Sequence, residues 1–316
     1  MIKQIDIVTP CYNEMDCVAL FYNEVFNILS AMDDYTFTVY YVDDGSIDDT
    51  LKEIKKLTDM HGENKVKFIS FSRNFGKEAA IYAGLKATTG DIVVLMDADL
   101  QHPPSMLPSM LNVIEEGFDS CATHRKQRRG ESLLRTIFSK GFYRLFNTIS
   151  NIKINASATD FRMMTRKMVD AVISLGERER FTKGLFQWVG FETKLIVCES
   201  VPRVAGTSKW RFGSLFGYAI NGITAFSTAP LRLATLIGFL FFLTGIAFMI
   251  YMIIGALFLG RSGAGFVTNI VLHLSIGGII IMLLGIIGEY IARIYSETKG
   301  RPIYIVRDSN LDRENI

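Results

Sequence analysis

The sequence predicts an α/β protein with a doubly wound, mostly parallel sheet, followed by two helices that cross a membrane. Three observations predict this architecture. In the N-terminal third, short apolar runs alternate four times with helical segments, as expected for parallel strands covered by helices. Polar loops follow three of these runs. Near the end of the chain, two apolar stretches each exceed the ~20 residues that a helix needs to cross a bilayer.

The predicted strands are short and apolar, and polar or glycine-containing loops bound them. They lie at residues 5–9, 37–42, 66–71, 92–96 and 118–123, and the first three helices at 16–31, 46–60 and 78–88. In an open α/β sheet, ligands bind at the carboxyl ends of the parallel strands. The loops PCYNE, VDDGS and MDADLQH all follow such ends. We therefore expect the functional site at that edge of the sheet.

Composition narrows the possible classes of protein. The chain has 316 residues, 49% of them hydrophobic, which is enough for one large domain or two with an ample core. A net charge of +2 gives no argument for a nucleic-acid partner. The four cysteines have no metal-site spacing and are expected to be thiols in a reducing compartment. The chain begins with a strand-like segment rather than a secretory signal peptide.

The acidic end of the fourth strand is the most informative stretch. The apolar run at residues 92–96 is followed at once by Asp97 and Asp99. If the backbone stays extended there, both carboxylates point to the same side. Two adjacent negative charges need a cation between them or a shared proton, and carboxylate oxygens suit Mg²⁺ and Mn²⁺. The pattern predicts a divalent-metal site for a diphosphate. An ordinary polar turn is the alternative for a bare D-x-D.

Four motifs in fixed order carry a family resemblance. They are V-x-P-x-Y-N-E at 8–14, V-D-D-G-S at 42–46, S-R-N-F-G-K-E at 72–78 and D-A-D-L-Q-H-P-P at 97–104. Together they resemble the GT-A nucleotide-sugar domain of family 2 glycosyltransferases. More narrowly, they are similar to polyprenyl-phosphate glycosyltransferases such as dolichol-phosphate mannose synthase and the bacterial bactoprenol glucosyltransferases. The resemblance covers nearly the whole chain.

The resemblance implies roles for residues on the donor side. Asp97, Asp99 and Gln101 would hold Mg²⁺ or Mn²⁺ and the donor diphosphate. The remaining donor-binding positions implied by the motifs are Pro10, Tyr12, Glu14, Asp44 and Lys77, together with Asp97 itself. For Asp43 and Asp44, a simple turn with a helix cap is the alternative.

Two basic segments are candidates for the acceptor side. A basic loop at 124–130 precedes a predicted amphipathic helix, which suits an anionic membrane surface or a phosphate group but could also be a solvated helix face. The resemblance implies that Arg125, Arg135 and Ser139 hold the acceptor phosphate. The R-V-A-G-T-S-K segment is similar to a family loop that closes over both substrates, and it contributes Arg203 and Lys209. Arginine suits this task because its fork matches phosphate oxygens.

Two further motifs follow the basic helix. Thr159-Asp160-Phe161-Arg162 resembles the family segment that carries the presumed catalytic carboxylate, here Asp160, although a carboxylate paired with Arg162 is the alternative. Residues 177–190 resemble the E-R-x-x-F-x-K-G-x-x-x-W-x-G segment of the bacterial enzymes. Its Trp188 is expected either to stack on a sugar or to lie in the core.

The C-terminal quarter predicts membrane anchoring. The expected units are a catalytic domain at 1–212, an interfacial helix at 213–231, a two-helix transmembrane hairpin at 232–292 and a tail at 293–316. Arg261 is the only charged residue between the spans, whereas basic residues flank both outer ends. The positive-inside rule therefore predicts a multi-pass inner-membrane protein with its catalytic domain and both termini in the cytoplasm.

The function predicted is inverting, metal-dependent transfer of a sugar to undecaprenyl or another polyprenyl phosphate, for modification of cell-envelope glycans. UDP-glucose or UDP-N-acetylglucosamine is the expected donor, because the resemblance is to bacterial members. Three alternatives remain open: a processive polysaccharide synthase, a nucleotidyltransferase and a non-enzymatic nucleotide-sugar-binding scaffold. No Q-x-x-R-W motif of the first occurs, nor a glycine-rich N-terminal loop of the second. The resemblance also implies a possible homo-oligomer, because the family includes tetramers.

Overall fold

A computed structural model gives the fold of residues 2–125, 141, 143–150, 152–155, 158–198, 222–259 and 265–312. The N-terminal half contains β1 (Lys3–Cys11), α1 (Met15–Leu29), β2 (Tyr35–Asp43), α2 (Thr50–His61), β3 (Val66–Phe71), α3 (Lys77–Ala87), β4 (Ile92–Leu95), α4 (Leu107–Glu115) and β5 (Ser120–Arg125). The remainder contains β6 (Ala158–Thr165), α5 (Arg166–Ser174), α6 (Thr182–Trp188), β7 (Thr193–Cys198), α7 (Ala229–Leu259), α8 (Phe266–Thr298) and β8 (Val306–Ser309).

The strands form one mixed sheet in the order β7-β5-β6-β4-β1-β2-β3-β8. The neighbours β4, β1, β2 and β3 are parallel, as the alternation of strands and helices predicts. β6 runs antiparallel to both β4 and β5, so β5 has the same direction as β4. The mostly parallel sheet predicted from the sequence is confirmed.

Helices cover both faces of the sheet, because successive strand side chains point to opposite faces. In β1, Ile5 and Ile7 belong to the cluster that packs against α1, α2 and α4. Val8 belongs to the cluster on the other face, formed with residues of α3 and α5. The strand residues of both clusters are buried, and the parallel pairing of β1 with β2 and β4 brings the carboxyl ends of these three strands to one edge.

The last strand comes from the segment that the sequence analysis treats as a tail. After α8 the chain returns to the sheet, and β8 pairs antiparallel with β3 from Ile69↔Ser309 to Phe71↔Val306. Asn310 secures this edge by accepting a hydrogen bond from the Phe68 amide at 2.7 Å. The tail beyond residue 293 therefore contains the end of α8 and an edge strand of the catalytic sheet.

Two helices are long and apolar enough to cross a membrane. The candidate spans are Ala229–Phe248 and Ser275–Thr298, each with a mean hydropathy of 2.0 and almost no residue buried inside the protein. Exposed apolar surface of this size is expected where lipid, rather than water, is the solvent. The predicted pair of transmembrane helices is confirmed. Residues 213–221 of the predicted interfacial helix lie outside the described residues, and residues 222–226 are helical.

Candidate active site

The loops after β1 and β2 bind each other at the carboxyl edge of the sheet. Asn13 has a positive φ of 53° and its amide donates to Ser46 Oγ at 2.9 Å. In return, the Ile47 amide donates to Asn13 Oδ1 at 3.0 Å. The Glu14 amide donates to Thr50 Oγ1 at 2.8 Å, which ties the start of α1 to the start of α2. The predicted donor residues Tyr12 and Glu14 are therefore on one braced loop, and Pro10 lies just before it near the end of β1; all three are half-buried.

Asp44 is buried beneath the loop that leads into α3. Its carboxylate accepts hydrogen bonds from the Phe75 amide at 2.7 Å and the Gly76 amide at 2.9 Å. Burial raises the pKa of Asp44 to about 6, and these two amides only partly oppose the rise. Gly45 has a φ of +66°, and a Cβ there would lie 2.3 Å from the Arg73 carbonyl carbon. The V-D-D-G-S turn thus holds the loop that precedes Lys77.

The predicted metal motif leaves the extended conformation at its start, before either of its carboxylates. β4 ends at Leu95, a turn follows at residues 98–99, and Leu100 has a positive φ of 54°. The extended backbone on which the strand-alternation argument for Asp97 and Asp99 depends is therefore absent, because the backbone turns between them. The Asp97 side chain is 29% exposed, whereas Asp99 is 8% exposed and accepts a hydrogen bond from the Gln101 amide at 3.1 Å.

Lys77 brings two predicted site carboxylates together. It is the first residue of α3, and its Nζ lies 2.8 Å from an Asp97 oxygen and 3.0 Å from Asp160 Oδ2. Asp160 lies in β6, the strand beside β4. Asp97 and Asp160, which are 63 positions apart in sequence, therefore meet at one edge of the sheet. Although burial would lower the pKa of Lys77, Asp160 and Asp97 raise it well above its ordinary value. Lys77 is therefore a fixed cation between the metal motif and Asp160.

Asp160 is flanked by a second lysine that the sequence analysis does not place in the site. Lys183 Nζ, on α6, lies 3.6 Å from Asp160 Oδ1. Burial alone would raise the pKa of Asp160, but Lys77 and Lys183 outweigh it and hold that pKa well below its usual range. Asp160 is consequently a stable carboxylate and a weak base. The signal for Lys183 in the sequence is its position in the E-R-x-x-F-x-K-G segment.

The oxygen ligands at this edge fit a metal ion that is bound together with a diphosphate. In the part of the chain that the structure describes, no group of three or more His, Cys, Asp or Glu side chains is close enough to hold a metal alone. Asp97, Asp99 and Gln101 offer hard oxygen atoms in one turn. Mg²⁺ typically takes one or two carboxylates and fills its other positions with water and phosphate oxygens.

The predicted acceptor residues are only partly described. Arg125 is the last residue of β5, and β5 runs in the same direction as β4. Arg125 is therefore at the same sheet edge as the metal motif. Arg135, Ser139, Arg203 and Lys209 lie outside the described residues. Trp188 is 58% exposed at the end of α6, so it is a surface residue and not a core one.

Comparisons with known proteins identify the class. The model of glycosyl transferase family 2 matches residues 6–173, and the model described as the GtrB C-terminal hairpin matches residues 229–294. The first match covers the strands β1 to β6 with their acidic edge, and the second covers α7 and most of α8. The chain is therefore a glycosyltransferase with a GT-A domain and a membrane hairpin. It belongs to glycosyl transferase family 2.

Relatives match along nearly their whole length. A putative glycosyltransferase, CsbB of Bacillus subtilis, is 41% identical over 99% of this chain and 94% of its own. The bactoprenol glucosyl transferase of Shigella phage SfX is 38% identical over 96% of this chain and 99% of its own. The prophage bactoprenol glucosyl transferase homolog of Escherichia coli K12 is 36% identical over 96% and 98%. The resemblance to bactoprenol glucosyltransferases is confirmed.

Proposed function

We propose that the protein transfers a sugar from a nucleotide diphosphate to polyprenyl phosphate at the cytoplasmic face of the membrane. The observation that carries this proposal is the meeting of Asp97, Lys77 and Asp160 at the carboxyl edge of the sheet. The two apolar helices support a lipid acceptor, because a catalytic domain anchored by membrane-spanning helices works next to the bilayer. Relatives named bactoprenol glucosyl transferases support undecaprenyl or another polyprenyl phosphate in particular.

On the donor side, each residue has a proposed task. Pro10 at the end of β1, the braced loop with Tyr12 and Glu14, and Asp44 line the nucleotide. Asp44 also keeps the facing loop in place through the Phe75 amide. Asp97, Asp99 and Gln101 hold Mg²⁺ or Mn²⁺ with the donor diphosphate. A divalent ion there supplies positive charge that stabilises the departing diphosphate. Lys77 adds a fixed positive charge beside Asp97 and so serves the same phosphates.

The state of Asp160 favours an orienting role over that of a base. A phosphate monoester has a second pKa near ~6 by analogy with phosphoserine, so the acceptor is already largely dianionic at neutral pH. A carboxylate whose pKa is held low by Lys77 and Lys183 is a poor proton acceptor. We therefore assign Asp160 to orienting the acceptor or a sugar hydroxyl. Attack from the side opposite the leaving group inverts the anomeric carbon, so an α-linked donor gives a β-linked product.

The acceptor phosphate is assigned to Arg125, Arg135 and Ser139, with Arg203 and Lys209 closing over it. The support is the end of β5, which delivers Arg125 to the edge that holds Asp97. The catalytic domain and both termini are assigned to the cytoplasm, where nucleotide sugars are made. In this arrangement the segment around Arg261 is on the outer side.

Donor screening in membranes tests the proposal. Membranes that contain the protein are incubated with labelled UDP-glucose, UDP-N-acetylglucosamine or GDP-mannose, in excess Mn²⁺ or in EDTA. Label in the chloroform extract that requires a UDP-sugar and the metal is the expected result. Label in an insoluble polymer would indicate a processive synthase instead. Equal transfer in EDTA and in Mn²⁺ would contradict the metal assignment.

A further inference from the structure

The E-R-x-x-F-x-K-G segment connects the second membrane helix to the active site. At its first end, Arg178 grips the last turn of α8. The Arg178 amide donates to Glu297 Oε1 at 2.8 Å, and its Nη1 donates to the Glu297 carbonyl at 2.9 Å. Its Nε donates to the Arg301 carbonyl at 2.7 Å, beyond the end of the helix. The backbone amide and the side chain of this one residue thus bind three groups on and after α8.

A second arginine, on α8 itself, also binds this segment. Arg293, on α8, donates to the Glu179 carbonyl at 2.7 Å and to Thr224 Oγ1 at 3.0 Å. Burial raises the pKa of Glu177, and the nearby Arg293 only partly opposes the rise. We call the contacts of Arg178 with the end of α8, together with the contact of Arg293 with Glu179, the α8 clasp. The clasp fixes residues 178 and 179 to a helix that spans the membrane.

At its other end, the segment is packed and bonded into the catalytic domain. Phe181 is buried, with its ring 6.0 Å from that of Phe226, which precedes the first membrane helix. A Cβ on Gly184 would lie 2.4 Å from the Phe226 ring, so only glycine fits there. The Thr182 amide and hydroxyl both donate to Glu78 Oε2, the former at 3.0 Å, and Glu78 follows Lys77. The segment therefore has little freedom between its two ends.

Lys183 lies in the middle of this braced segment and faces Asp160. Only four residues separate it from Arg178. Phe181, Thr182 and Gly184 are each held by packing or a hydrogen bond, so the short segment cannot bend freely between Arg178 and Lys183. A displacement of α8 that moves residues 178 and 179 therefore shifts Lys183 as well. Packed elements of this kind transmit small shifts between sites.

We propose that the α8 clasp is a positioning device that sets Lys183 beside Asp160, so that the reaction depends on how the second membrane helix is seated. Lys183 is the active-site group, and Arg178 and Glu297 act only through it. This inference rests on the proposed function for its kinetic part. The acceptor lipid is itself embedded in the bilayer. A reaction centre whose position is set by a membrane helix therefore stays at a fixed height relative to the acceptor phosphate.

The main variant is Glu297→Ala, which removes both carboxylate contacts with Arg178. Asp170→Ala is the matched control, because Asp170 pairs with Arg166 at 2.9 Å on α5 and, among the described residues, has no hydrogen bond or ion pair with α8 or Lys183. Two quantities are measured in the full-length protein in lipid nanodiscs. One is kcat for transfer to polyprenyl phosphate, with each KM. The other is the rate at which a water-soluble acetylating reagent modifies Lys183, followed by mass spectrometry at one pH.

We expect Glu297→Ala to lower kcat about threefold to thirtyfold, which corresponds to ~0.7–2 kcal/mol at ~1.4 kcal/mol per decade. Acetylation of Lys183 should become severalfold faster, because an ammonium group released from Asp160 loses the charge that keeps it protonated. Asp170→Ala should change neither quantity. Arg178→Ala also removes the bonds to the Glu297 and Arg301 carbonyls, so it should lower kcat and speed Lys183 acetylation at least as much. The double variant should lose less than the sum of the two single losses, since both remove the contact between the two side chains.

Two results would overturn the inference. Unchanged kcat and unchanged Lys183 acetylation in folded Glu297→Ala would show that the clasp positions nothing. A fall in kcat without faster acetylation would show that the helix acts by another route. If Glu297→Ala fails to fold, Glu297→Gln and Arg178→Lys keep the size of each side chain and take the same test. If the wild type itself transfers no sugar to polyprenyl phosphate, the proposed function fails, while the acetylation comparison still decides whether the clasp positions Lys183.

Discussion

Asp44 and Asp160 lie at the same edge of the sheet, yet their surroundings affect the carboxylate charge in opposite ways. Asp44 is buried and meets backbone amides, so burial prevails and its pKa rises to about 6. Asp160 meets two lysine side chains, so their charge prevails and its pKa falls. Neutral dipoles hold a loop in place without committing the carboxyl group to one charge state, whereas full charges commit it. The first environment suits a structural support of the donor cleft and the second suits a reaction centre.

Removal of a carboxylate from the metal motif should have the largest effect of any change at this edge. Asp97→Asn keeps the size of the side chain but weakens both metal binding and the pair with Lys77. A metal contributes several kcal/mol of charge stabilisation, so transfer should fall on the order of a hundredfold or more. Transfer is measured with labelled donor at saturating Mn²⁺, and circular dichroism checks the fold. Near wild-type transfer by Asp97→Asn would remove Asp97 from the reaction centre and leave only Asp160 there.

Replacement of an acceptor residue should affect the acceptor step near Asp160 and leave donor binding near Asp44 unchanged. A charged hydrogen bond to phosphate contributes on the order of 1.5–3 kcal/mol, or roughly tenfold to hundredfold. Arg135→Ala should therefore raise the KM for polyprenyl phosphate or lower kcat by that factor. Binding of UDP with Mn²⁺, measured by calorimetry in detergent, should stay within about a factor of two, because distant sites are additive. Loss of UDP binding would assign Arg135 to the donor side instead.

Asp44→Asn should make the protein more stable relative to wild type as the pH rises. The folded-state pKa of Asp44 is about 6 against an ordinary value of 3.8, so the native protein binds the extra proton between these values. The free energy of unfolding of the wild type therefore falls by about 2 kcal/mol as the pH rises through that range. The uncharged amide side chain of the variant does not titrate and avoids this loss. The difference in Tm between variant and wild type is measured at pH 4.5 and pH 7.5. A difference that does not increase with pH would contradict the environment assigned to Asp44.

Asp160→Asn should show the opposite pH dependence. Because the folded-state pKa of Asp160 lies below its ordinary value, its contribution to stability is present at neutral pH and is lost as the pH falls through the folded-state pKa. The variant should therefore be less stable than wild type at pH 7.5, by less at acidic pH. The difference in Tm between this variant and wild type is measured at pH 7.5 and at about pH 3, because the loss begins only below the ordinary pKa of 3.8. If both variants shift in the same direction with pH, the contrast between the two carboxylates is wrong.

The strands and their acidic loops could be predicted because both signals are local. Apolar runs such as Ile92–Leu95 and the polar residues that follow them are adjacent in sequence. The turn after Asp97 was missed because it depends on Leu100 at positive φ, where no glycine marks it. Lys183 was not assigned to the site because its partner Asp160 is on another strand, and a pair of charges 23 residues apart has no periodicity to reveal it.

The strand β8 was missed for a different reason. Its four residues follow a membrane hairpin, and its partner β3 lies more than 230 residues earlier, so only the completed fold brings them together. The antiparallel direction of β6 could not be predicted for a similar reason, because 32 residues separate the end of β5 from the start of β6. Length of connection rather than local pattern decides such pairings.

The return of the chain to β3 after the hairpin has a consequence for biogenesis. Synthesis runs from the N-terminus, so β8 leaves the ribosome after both apolar helices. Until then, β3 presents an open edge of unpaired amide and carbonyl groups, the kind of surface that recruits other strands and promotes aggregation. The edge can close only when both ends of the hairpin emerge on the side of the catalytic domain. A hairpin inserted with a single crossing would strand β8 across the bilayer, so completion of the sheet reports correct membrane insertion.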